Sequence, residues 1–190
     1  MGGNEALRAF CQQVRRRSRE HVQAISLLEM GDLLSPVMAI LRQEIDSLIR
    51  VIYLLTRDEN DRNRLILASV SGERWTHSRG HGLITDREMV DISNKLNGWT
   101  QSVYKYGCAF VHLSNFHDYD TQDPLSKLTI KERNNILKHM RHYHHGPSSD
   151  HPTISDILPL LPQVLRKISA NLDYYLKALE ADSNLNVEDI

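Results

Sequence analysis

The sequence predicts an all-α fold, a single-domain antiparallel bundle of about six or seven helices. Three observations carry this. Apolar residues recur at steps of three and four along most of the chain, no stretch alternates with the period of a strand, and no long Pro/Gly/Ser-rich linker divides it. A length of 190 residues suits one domain, and 41% hydrophobic residues can fill a sizeable core.

The elements follow in order. Leu7, Cys11, Val14, Ser18, His21, Ile25 and Leu28 trace a helical seam between Asn4 and Met30. Two of its members, Ser18 and His21, are polar. Gly31 offers a stop, Asp32 and Ser35 offer caps, and Pro36 falls where a first-turn proline is tolerated. The second helix carries an uninterrupted apolar seam, Leu34, Met38, Leu41, Ile45, Leu48, Ile52 and Leu55, widened by Val37, Ile49 and Val51. So broad an apolar arc places it at the centre of the bundle. Its other face spaces Arg42, Asp46 and Arg50 for i,i+4 ion pairs.

A third helix starts after Asp58. The stretch "SGERWTHSRGHGLI" has three glycines and no period, and reads as a loop. Thr85 with Glu88 fits a capping box, opening a short helix that ends near Gly98. The next helix is expected from Trp99 to about Phe116, through Trp99, Val103, Tyr106, Phe110 and Leu113. Thr129 with Glu132 is a second capping-box match. "HYHHGPSSDHPT" then breaks the chain, and a last helix, bent at Pro159 and Pro162, runs through Leu179. The expected division is a bundle over residues 1–181 and a polar tail over 182–190.

Charge and composition bound the function. A net charge of −1 gives no bulk attraction to nucleic acid or to an anionic membrane. Two cysteines, Cys11 and Cys108, exclude a disulfide-dense scaffold and suit a reducing compartment. The N-terminal segment lacks an apolar signal core, and "SLIRVIYLL" is broken by Arg50 and too short to span a bilayer. A cytoplasmic protein without a membrane partner is expected. A glycine-rich phosphate loop, a nucleophile elbow, a Cys-x-x-Cys pair and a His-Glu-x-x-His run are all missing, and no cofactor is implied.

Histidines and carboxylates crowd two segments: His142, His144, His145, Asp150 and His151, and then His112, His117, Asp118 and Asp120. Imidazole with carboxylate suits zinc if the segments meet. A solvated His/Gly/Ser loop is the expected reading, with no metal. "RRRSR", Arg15 to Arg19, could meet phosphate, but no aromatic flanks it for base stacking, and a solvated helix face is expected.

Metal-independent ribonucleases of the HEPN class typically show an arginine and, after four to six residues, a histidine; there the imidazole moves a proton at the 2′-hydroxyl and the guanidinium steadies the phosphorane. Arg16/His21, Arg15/His21, Arg74/His81 and Arg133/His139 meet that spacing, about as often as chance allows.

Two segments carry a resemblance. "ILRQEIDSLIRVIYLL" has Arg42, Asp46 four residues on, and Tyr53 near the helix end; "YKYGCAFVHLS" has a tyrosine, small residues and then Val111-His112. Both are similar to a group of bacterial helical proteins related to HEPN domains. The resemblance covers fewer than about thirty residues and implies a HEPN-like all-α bundle, often a dimer. It also implies, for some members, metal-independent ribonuclease activity in toxin or phage-defence systems. On that reading His112 is the general acid or base, Arg42 or Lys105 the phosphate stabiliser, Asp46 an orienting group, and RNA the substrate. The chain departs from the pattern in having no arginine four to six residues before His112. The second expectation is a non-catalytic module that dimerises or docks on a protein partner, with His112 a packed residue on a helix whose Gly107, Cys108 and Ala109 favour close approach.

Overall fold

The computed structural model describes residues 2–78, 80 and 82–185. It is an all-α bundle: α1 (Gly3–Met30), α2 (Leu34–Leu55), α3 (Glu59–Val70), α4 (Asp86–Asn97), α5 (Thr100–Val111), α6 (Ile130–His144), the one-turn α7 (Ile154–Ile157) and α8 (Leu161–Glu180). Among the described residues the only strand-like pairing is an isolated bridge between Thr76 and Leu83.

α2 is the axis. Every member of its predicted seam is buried, and it packs against α1, α3, α4, α5 and α8. α1 returns antiparallel to it. α8 lies antiparallel to α1, through Ser18–Ser169 and Arg15–Glu180, and so runs parallel with α2. Burial of α2 on nearly all sides leaves its last carbonyls needing partners away from water. Arg62 of α3, only 3% exposed, donates from Nε to the Leu54 carbonyl at 3.2 Å, and the Leu185 amide donates to the Leu55 carbonyl at 2.8 Å. The same guanidinium holds Asp182 at 2.6 Å and also bonds Asn184. Residues 182–185 are thus anchored to α2 and α3, although their composition is that of a tail. Residues 186–190 of that expected tail lie outside the described residues.

Local chemistry sets the ends. Asp58 caps α3 by accepting from the Asp61 amide. At α4 the Thr85 hydroxyl accepts from the Glu88 amide, but the Glu88 carboxylate faces Tyr53 and His77 instead of closing the box. At α6 both halves of the Thr129/Glu132 box are made. α1 stops at Gly31, yet the left-handed residue is Asp32 (φ 53°), and α2 starts behind Leu33 with no side-chain cap. Neither Asp32 nor Ser35 therefore caps α2.

Two expectations about length change. α5 ends at Val111, short of Phe116: the Ser114 hydroxyl donates to the Ala109 carbonyl at 2.7 Å and accepts from the Phe116 amide, which starts a 3₁₀ turn at Asn115–His117. The last helix does not bend at its prolines. Pro159 sits in a 3₁₀ turn between α7 and α8, and Pro162 sits in the first turn of α8, where its missing N–H leaves no bond unmade.

Candidate functional site

The predicted i,i+4 pairs on α2 form one part of a wider lattice. Arg42 Nη1 stands 3.9 Å from Asp46 Oδ1, and Arg50 Nε donates to Asp46 Oδ2 at 3.1 Å. Asp86, in the first turn of α4, joins both arginines: Arg42 Nη2 at 3.2 Å and Arg50 Nη2 at 3.4 Å. Tyr104 of α5 donates to Asp86 at 2.7 Å and lays its ring under the Arg42 guanidinium at 3.5 Å. Burial, and then the bond to Asp86, push the Tyr104 phenol well above its ordinary value, so it stays a donor. Arg42 Nε completes its set on Cys108 Sγ at 3.2 Å.

Close helix contact makes this lattice. A Cβ on Gly107 would meet Arg42 Cβ at 3.0 Å, so glycine lets α5 press on α2 at this level. The arginine is then sandwiched, with its side chain 13% exposed, and six groups on three helices share four charges. Tyr53, named with Arg42 and Asp46 in the resemblance, is buried one level on. It donates to Glu88 at 3.0 Å, and burial raises its phenol to about 12.

The other predicted site residues stand elsewhere. His112 is the C-cap of α5 in an extended conformation; its amide donates to Cys108 and its side chain is exposed. Among the described residues it makes no side-chain hydrogen bond to Arg42, Asp46 or Lys105. Lys105 is 73% exposed and pairs with Glu132 at the start of α6. Arg42 and Asp46 are therefore brought together, and Lys105 and His112 are not.

The spaced pairs resolve differently. His21 donates or accepts through Nδ1 at 2.6 Å from Glu44 Oε2, while Arg15 turns to Asp173 and Glu180 of α8. Arg133 reaches the Pro152 carbonyl and His139 the Asn135 carbonyl. His81 lies outside the described residues. In the histidine-rich segment, Arg141 binds the Pro147 and Ser149 carbonyls, and His144 turns inward to half-buried surroundings. Among the described residues no three His, Cys, Asp or Glu side chains gather as a metal site.

One polar group escaped the sequence reading. Glu44 is fully buried, accepting from Ser18 Oγ at 2.5 Å and paired with His21, and Ser18 continues to Ser169 at 2.7 Å. The signal was present. Val37, Leu41, Glu44, Leu48 and Val51 share a face, and Glu44 is the one acid on it, opposite the two polar positions of the α1 seam. Ser18 and His21 grip different oxygens of the carboxylate. That arrangement lacks the serine–imidazole contact of a nucleophile and its base.

Comparison with protein-family models, with curated proteins and with solved structures found no match.

Proposed function

We propose that the chain is a non-catalytic helical interaction module that pairs with a second copy of itself. One observation carries this: Arg42 is mostly buried among Asp46, Asp86, Tyr104 and Cys108, whereas His112 stands apart on the surface. A mostly buried guanidinium whose charge is already answered by two carboxylates is a poor partner for a phosphate. His112 is flanked instead by exposed apolar side chains, Val111 at 48% and Leu113 at 95%, and the end of α1 exposes Leu27 and Met30. Apolar side chains in such positions are costly in water and favour an isologous contact, in which each copy offers the same patch.

The mass of the protein in solution tests this. A dimer at tens of micromolar that Leu113→Asp converts to monomer supports the module, and a monomeric wild type overturns it. The HEPN-like ribonuclease of toxin or phage-defence type keeps one support, the accessibility of His112. Cleavage of RNA by the wild type that His112→Ala abolishes would replace the module with that enzyme.

A further inference from the structure

A half-enclosed cavity of about 270 Å³ lies where the end of α4 and the start of α5 face α6 and α8. It uses a different face of α5 from the one pressed on Arg42. The volume equals about nine waters at some 30 Å³ each, room for a two-ring organic molecule. Its floor is apolar, built by Val103, Met140 and Ile168, and Trp99 and Tyr143 add aromatic surface. Tyr143 is 46% exposed, so one ring lies at the mouth.

The charge around this cavity has one sign. No acidic residue lines it, and Lys167 does. Among the described residues Lys167 makes no ion pair. His144 also lines the cavity. Burial, and then the neighbouring Lys167 and His145, hold its imidazole below its ordinary value, so at neutral pH it offers a hydrogen bond in place of a second charge. An apolar body with one anionic end satisfies both features: its rings replace water on the floor, and its charge meets the lone ammonium.

We propose that this cavity binds a flat aromatic carboxylate, with its rings against Trp99 and Tyr143 and its carboxylate on Lys167. A neutral ligand of the same shape would keep the apolar contacts and leave the ammonium unanswered. The selectivity belongs to Lys167 and the affinity mainly to the floor and the rings. This site does not depend on self-association, so the two proposals fail separately.

Calorimetric titration of the full chain with 2-naphthoate and with 2-naphthamide tests it. Saturable binding at one site is expected, with the carboxylate favoured by roughly tenfold, as a charge-assisted hydrogen bond in a partly buried site provides. Lys167→Gln is expected to erase that preference while leaving the amide unchanged. Tyr143→Ala, at an exposed position, is expected to weaken both ligands alike. Absence of saturable naphthoate binding overturns the proposal, as does a preference that survives Lys167→Gln or affinities that ignore Tyr143→Ala.

Discussion

Glu44 shows how much one side chain can rest on its partners. A fully buried carboxylate is tolerated because Ser18 and His21 answer both of its oxygens. Glu44→Leu removes the acceptor, strands the buried His21 imidazole and costs Ser18 one of its two bonds, and a loss of about 3 kcal/mol is expected from urea unfolding. His21→Leu in the same chain should recover most of it, since Ser18 still has Ser169. If the double variant is no more stable than the single one, the imidazole is held by something besides Glu44. At this scale the sequence was only partly legible. The spacing of Arg42, Asp46 and Arg50 announced ion pairs, but it could not announce Asp86, Tyr104 or Cys108. Those three come from helices whose approach depends on Gly107 and on the α4–α5 turn.

At the scale of elements, the local signals that were read correctly are those that need no partner. The Thr129/Glu132 box and the Gly98 stop both act within a few residues of themselves. α5 ended early because Ser114, five residues on, captures a carbonyl of its last turn. The box at α6 also makes a pH prediction. Lys105, then the Thr129 hydroxyl and amide, hold the Glu132 carboxyl down to about 2. A lowered folded-state value means that the contribution is complete above the ordinary value of 4.5 and is lost as the pH falls from there through 2. The stability difference between wild type and Glu132→Gln should therefore be constant above about pH 5 and shrink on acidification. A carboxyl titration midpoint near 4.5 in the wild type would contradict this.

For the whole molecule, the central place of α2 was legible because its seam is apolar on so broad an arc. The parallel course of α8 beside it was not, since it depends on the long excursion through α3 to α7. Nor was the anchoring of residues 182–185, which rests on a buried arginine more than a hundred residues earlier in the chain. Asp182→Ala combined with Asn184→Ala removes two of the groups that answer Arg62. Asp182 is largely exposed, which weakens its share, and a loss of about 2 kcal/mol in thermal or urea unfolding is expected. No measurable loss would mean that the Leu54 and Arg57 carbonyls suffice for the guanidinium.

The same anchoring has a consequence for how this bundle can be joined to other chains. Asn184 is held by Arg62, and Gly3 lies beside Asn63, so residues 3 and 184 stand next to consecutive residues of α3. A bundle whose first and last described turns lie side by side can be spliced at those points into a surface loop of a host protein without prising that loop apart. Both junctions would then lie on one side, and the α1–α2 turn with Met30 would project from the other.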